Sequence, residues 1–136
     1  IPQDRVCDAL IEQIGLYPTL ADLAGINPPS PPALVDFPEA PEKIDGISFA
    51  DLTRDPDLEG PSAAFSEYNL RNAGQYMIRT DRFKYIFNYG ARDELYDHET
   101  DPGEHVNVVG RPAYAEAQAE LAELMAGGWR AALPDA

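Results

Sequence analysis

"RDELYDHETDPGEHVN", residues 92–107, gathers Asp93, Glu94, Asp97, Glu99, Asp101 and Glu104 around His98 and His105. As a metal or acid–base cluster it would give the chain chemistry of its own. As a strand running into an acidic turn it closes a sheet. Asp97, Glu99 and Asp101 fall on the first, third and fifth places of a calcium loop. The sixth place, where a sharp turn needs glycine, is Pro102, and the twelfth, where a bidentate glutamate belongs, is Val108. The histidines stand seven apart, whereas a zinc-binding pair is spaced by about three to five. The strand reading accounts for more of the letters: Leu95 and Tyr96 end a strand, Asp101-Pro102-Gly103 turns the chain, and Asn107 bonds local backbone. The acids are then expected as exposed turn residues.

The neighbouring segments agree with a sheet. "AAFSEY", "QYMIRT", "RFKYIFN" and "DELYD" are short, rich in aromatic and β-branched residues, and separated by turn formers. In the third, Phe83, Tyr85 and Phe87 alternate with Lys84, Ile86 and Asn88, and Thr80-Asp81-Arg82 and Tyr89-Gly90-Ala91 are short enough for hairpin turns. These segments predict a small antiparallel meander.

Downstream, "RPAYAEAQAELAELMAGGW" predicts a helix with Pro112 in its first turn. Tyr114, Gln118, Leu121 and Met125 share a side that Ala117 and Leu124 widen, and Glu116, Glu120 and Glu123 line the other. Gly127-Gly128 stops it, and Trp129 is expected to fold back as an apolar plug. Such a helix has the stripe needed to cover one face of the sheet.

Upstream, Leu16, Leu20 and Leu23 form a helical stripe, with Pro18 near its start and Gly25 past its end, which predicts a helix over residues 16–24. The stretch before Gly15 reads as strand or helix. "NPPSPPALVDFPEAPEKIDG" then holds six prolines between Pro28 and Pro41, an extended connector whose Pro28/Pro31 and Pro38/Pro41 spacings come with proline density. After Asp45-Gly46, Ser48 and Asp51 resemble a cap before a short helical turn carrying Phe49 and Leu52.

The totals narrow the function. The chain has 136 residues, 44% of them hydrophobic, and no apolar run long enough to span a membrane. Ten Lys and Arg against 24 Asp and Glu give a net charge of −14, which disfavours nucleic acid and anionic lipid as partners. Cys7, the single cysteine, excludes an internal disulfide and is expected as a small buried thiol. No serine lies in a G-x-S-x-G elbow, and no glycine-rich phosphate cradle is present. The residues hold no complete reaction centre. The start at Ile1, with no signal-peptide shape in "IPQDRV", reads as the interior of a longer protein.

Taken in order, "LYPTLADLAGI", "DGISF", "FSEY", "MIRTDRFKYI" and "ELYDHETDPGEHVNV", then an acidic helix ending in Trp129, resemble the C-terminal part of a sulfatase of the alkaline-phosphatase-like superfamily. "ELYDH" is reminiscent of the iduronate-sulfatase-like branch. The resemblance spans Val6 to Trp129. It departs at Gly15, where relatives carry aspartate, at Val108, where leucine is common, and in the length of the connector.

The resemblance implies an α+β fold: a three- to four-stranded antiparallel sheet under a C-terminal helix, preceded by a helix and connector from the end of an α/β catalytic domain. The implied division is 1–26 for that end, 27–61 for the connector and 62–136 for the subdomain. It also implies that the chemistry lies upstream, with a formylglycine and a divalent cation, calcium or magnesium, in the catalytic domain. Cys7 is followed by Asp8, Ala9, Leu10 and Ile11 rather than the C-x-P-x-R pattern, so no catalytic or metal-binding residue carries over. The partners implied are that upstream domain and a sulfate-ester substrate, and the compartment stays open between cytoplasm and periplasm or exterior. The segment "NLRNAG" is expected as a loop on the substrate-cleft rim, with Asn69, Arg71 and Asn72 facing the substrate and Arg71 meeting an anionic group. The rival readings are a free-standing binding module and the same region of a phosphonate monoester or phosphodiester hydrolase.

Overall fold

The computed structural model describes residues 2–27, 44–70 and 73–134. The prolines of residues 28–43, with both P-x-x-P spacings, lie outside them, as do Arg71, Asn72 and the side chain of Trp129. The chain divides into two compact units, Ile1–Leu58 and Glu59–Ala136.

In the first unit, residues 2–12 have no regular secondary structure, and a 3-10 turn, Gln13–Gly15, leads into helix α1, Leu16–Leu23. The helix ends one residue earlier than the apolar spacing predicts. Gly25, at φ 68°, donates its N–H to the Asp22 carbonyl, and Ile26 donates to that of Ala21. This paired closure satisfies the last carbonyls of the helix and needs the left-handed conformation that glycine takes without strain.

Thr19, 3% exposed, ties α1 to the chain beyond the connector. Its hydroxyl donates to the Gly15 carbonyl at 2.6 Å and accepts the Phe49 N–H at 2.9 Å. Ser48, expected as the cap, stands one residue before the actual N-cap Phe49 of the short helix α2, Ala50–Arg54; its hydroxyl donates to the Asp22 carboxylate and accepts the Ala50 N–H. Two glycines let the backbones cross. A Cβ at Gly15 would collide with the Ile47 carbonyl and the Phe49 ring, and one at Gly46 with the Ile14 carbonyl. The aspartate expected at position 15 therefore has no room here. The buried residues of this unit, among those described, are Gly15, Pro18, Thr19 and Ala50. Leu16, Leu20 and Leu23 stay 45%, 64% and 41% exposed.

The second unit holds four strands, β1 (Ala64–Leu70), β2 (Ala73–Arg79), β3 (Phe83–Asn88) and β4 (Glu94–Asp97), in an antiparallel meander of order β1-β2-β3-β4. Register places Phe65 opposite Ile78, Ile78 opposite Tyr85, and Tyr85 opposite Leu95, a single apolar row across all four strands. Helix α3, Ala115–Gly127, entered through a 3-10 turn at Pro112–Tyr114, lays Leu121 on the core that this row shares with Ala63, Val108 and Ala132. Leu124, Met125 and Tyr114 pack around it, while Glu116, Glu120 and Glu123 face solvent, as the helical spacing predicts. Gly128, at φ 77°, ends the helix. A 3-10 turn, Trp129–Ala132, then returns to the start of β1, where Ser62 donates its N–H to the Ala132 carbonyl at 2.7 Å.

Leu95, at the β4 end of the apolar row, is fully buried. Leu95→Ala is expected to lower stability by about 2–5 kcal/mol, read as a shift of the urea midpoint at unchanged slope. Gly46→Ala is expected to lower the thermal midpoint because the backbone crossing has to open. Differential scanning fluorimetry measures that loss.

Candidate functional site

The acidic stretch resolves into side chains that hold the sheet. Asp97, 1% exposed, accepts a two-pronged pair from Arg82, Nε at 2.9 Å and Nη2 at 2.8 Å, and also the Glu99 N–H at 3.1 Å. Glu104 takes Lys84 Nζ at 2.7 Å on one oxygen and meets His98 Nε2 at 2.8 Å on the other. Asp101 accepts the Val106 N–H, and Asp93 takes the Tyr85 hydroxyl and the Asn88 N–H on separate oxygens. Asn107 bonds backbone as its size predicts, accepting Leu95 and Val109 N–H groups and donating to the Asp93 carbonyl.

Two expectations are corrected by this geometry. Of the six acids only Glu99 is exposed; the others are buried or half-buried, because the turn folds back on β3 and β4 and brings cations to Asp97 and Glu104 and N–H or hydroxyl donors to Asp93, Glu94 and Asp101. Cys7 is exposed, not buried, since it lies in the segment without regular secondary structure at the start of the first unit. No group of three or more His, Cys, Asp or Glu that could hold a metal occurs among the described residues. The carboxylates of the turn already have cations or N–H donors as partners, which does not fit a cation site.

These partners displace the titrations. Hydrogen bonds from Arg82, against the opposing effect of burial, hold the Asp97 carboxyl below its ordinary range. Lys84 first, then His98, does the same for Glu104. Burial, then Asp93, pushes Tyr85 up to about 12, and the hydrogen bond to Glu94 pushes Tyr96 up to about 12. A carboxylate depressed in the folded state binds protons more readily when unfolded. The stability it contributes is therefore complete above the unfolded value of about 4 and is lost as pH falls through the folded one. Asp97→Asn is expected to lower stability at pH 7 and flatten the decline that the parent shows below about pH 4. Urea midpoints across that range measure both.

The four described residues of the expected rim loop belong to strands. Pairing continues through Asn69 opposite Gly74 and Leu70 opposite Ala73, so β1 and β2 run on and only residues 71–72 connect them. Arg71 and Asn72 lie outside the described residues. Asn69 is exposed at the end of β1, and its amide donates to the Glu67 carboxylate. A Cβ on the buried Gly74 would sit 3.0 Å from Asn69 Oδ1 and 3.3 Å from the Tyr76 ring. Glycine thus lets the amide and the ring lie close together over the backbone.

Register extends this patch inward: Glu67 faces Tyr76, and Tyr76 faces Phe87, on the same side as the core row. Tyr76 and Phe87 are 37% and 38% exposed, with ring centroids 6.3 Å apart. Alternation in β3 gives Phe87 the same face as Tyr85, but only Tyr85 belongs to the core under α3. Neither exposed ring was legible as a site residue, because exposure depends on which row the helix covers.

A family model described as the C-terminal region of N-sulphoglucosamine sulphohydrolase matches residues 1–128. A Delta 4,5-hexuronate-2-O-sulfatase of Bacteroides thetaiotaomicron is 34% identical over 131 residues, covering 90% of this chain and 25% of the relative. A solved structure described as a complex with its substrate D-glucosamine-2-N,6-O-disulfate superposes with a TM-score of 0.65 at 29% identity, over 86% of this chain and 23% of the other. The phosphonate monoester hydrolase of Agrobacterium radiobacter superposes with a TM-score of 0.65 at 26% identity, over 83% and 23%. The chain thus spans about a quarter of the length of each of these proteins. With the meander, its covering helix and the match over residues 1–128 in agreement, the chain belongs to the sulfatase family as a C-terminal domain.

Proposed function

We propose that the protein containing this chain hydrolyses a sulfate ester, with water cleaving the S–O bond to leave an alcohol and sulfate. This chain contributes shape and support to that reaction. The family match carries the reading. The nucleophile, a formylglycine, and a divalent cation, calcium or magnesium, are assigned to the upstream catalytic domain. The chain's own contribution is a wall of the substrate cleft at the β1–β2 hairpin. Asn69 is assigned to the alcohol portion there, and Arg71 and Asn72, outside the described residues, are assigned to the same contact with substrate.

The proposed partner of the chain is that upstream domain of the same protein. The exposed stripe Leu16, Leu20 and Leu23 supports this, joined by Val6, Ile11 and Ile14, which are 77%, 49% and 55% exposed. A solvated apolar surface of that kind marks an interaction site, and it argues against a free-standing binding module. No helix among the described residues is long and apolar enough to cross a membrane. A second reading keeps the superfamily and changes the ester, and the likeness to a phosphonate monoester hydrolase favours it.

Release of sulfate from 4-nitrophenyl sulfate by the full-length protein, faster than release of phenol from phenyl phenylphosphonate, supports the sulfatase reading. The reverse order replaces it with the phosphonate one. If α1 docks upstream, Leu20→Ala lowers the stability of the full-length protein by about 2 kcal/mol, the scale for a buried leucine. An unchanged denaturation midpoint contradicts the docking.

A further inference from the structure

Asn88, the last residue of β3, is 7% exposed and is the buried polar side chain nearest the proposed rim in register. Its Nδ2 donates to the Arg92 carbonyl at 2.9 Å and to the Glu94 carboxylate at 3.3 Å. Its Oδ1 accepts from Gln75 Nε2 at 2.6 Å. The arrangement has a fixed direction. A carbonyl and a carboxylate only accept, so they orient the amide with nitrogen toward them and oxygen toward Gln75, which must then present its own NH₂. Asp93 adds one backbone and one side-chain bond beside this chain: one oxygen accepts the Asn88 N–H at 3.0 Å and the other the Tyr85 hydroxyl at 2.7 Å. Tyr89 adds a backbone bond to the Gly74 carbonyl at 2.9 Å.

The consequence is local to one end of the sheet. Gln75 follows Gly74, which pairs with Asn69, and precedes Tyr76. The bonds to Asn88 therefore fasten β2 to the β3–β4 turn from the face of the sheet opposite the Asn69–Tyr76 patch, at the strand end where that patch begins. Helix α3 serves a different row, Phe65–Ile78–Tyr85–Leu95, and does not supply this restraint. An apolar residue at a buried strand end would need none of these bonds, and an asparagine there is tolerated only when its polar atoms are satisfied.

We infer that Asn88 and Gln75 are positioning residues that hold the β1–β2 hairpin edge, through Asn69, against the alcohol portion of the substrate. The inference rests on the rim reading above. Neither residue touches substrate or takes part in bond cleavage. Their effect falls on substrates whose leaving group is large enough to reach the hairpin.

The test uses the full-length protein with 4-nitrophenyl sulfate, whose leaving group is small, and a sulfated disaccharide. Gln75→Met removes the donor at an exposed position that tolerates the change. Asn88→Leu removes all three bonds of the Asn88 side chain and leaves its backbone bond to Asp93, and Asn69→Ala reports on the rim itself. The expected result for Gln75→Met and Asn88→Leu is a rise of about 3- to 10-fold in KM for the disaccharide with kcat within about twofold, the signature of lost uniform binding. Constants for the aryl sulfate should stay close to parent. If Asn69→Ala raises the disaccharide KM and Gln75→Met does not, the positioning role is overturned and the rim stands. If neither does, the rim reading fails and takes the inference with it. If kcat falls for both substrates together, the two residues act on the whole fold, and the positioning role is again overturned.

Discussion

One apolar row, Phe65–Ile78–Tyr85–Leu95, decides the second unit. Each strand contributes one residue to it, so a one-residue slip between any pair would turn a core side chain toward the other face. Covering that row fixes where α3 must lie, and Leu121 does so with Val108 and Ala132 beside it. The same constraint explains why the next row, Glu67–Tyr76–Phe87, stays open: the core ends one pair short of it. The fold therefore leaves an amide and two rings available at one end of a rigid sheet.

The acids that first suggested a reaction centre serve that rigidity. Arg82 grips Asp97 at the end of β4, Lys84 and His98 hold Glu104 over β3, and Asp93 closes the β3–β4 turn onto Tyr85 and Asn88. A carboxylate committed to an arginine fork and a backbone N–H has little capacity left for a cation. The first unit is built otherwise, with polar ties through Thr19 and Ser48 and a crossing at Gly15 and Gly46 in place of a large apolar core.

Much of this was legible in the letters. Local chemistry marked α1 and its glycine closure, the four strands and their turns, and the amphipathic α3, because each depends on neighbours in sequence. The family resemblance came from the order of these pieces. The ion pair of Asp97 was not legible, since Arg82 is brought to it by the β3–β4 register, and six acids within residues 93–104 read naturally as solvated. Asn88 looked like an ordinary strand residue for the same reason: its partners Gln75, Arg92 and Glu94 converge only once the strands pair. The extent of the hairpin was misjudged because "NLRNAG" has turn composition, yet its outer residues continue the ladder.

The proposed role of this chain, a C-terminal domain of the sulfatase family, is to support bond cleavage carried out elsewhere in the same protein. The most direct measurement is sulfate release from 4-nitrophenyl sulfate by the isolated chain, set against the full-length protein at equal molar concentration. The account predicts turnover by the full-length protein and none by the chain. Sustained turnover by the purified chain, abolished by a substitution within it, would contradict the assignment.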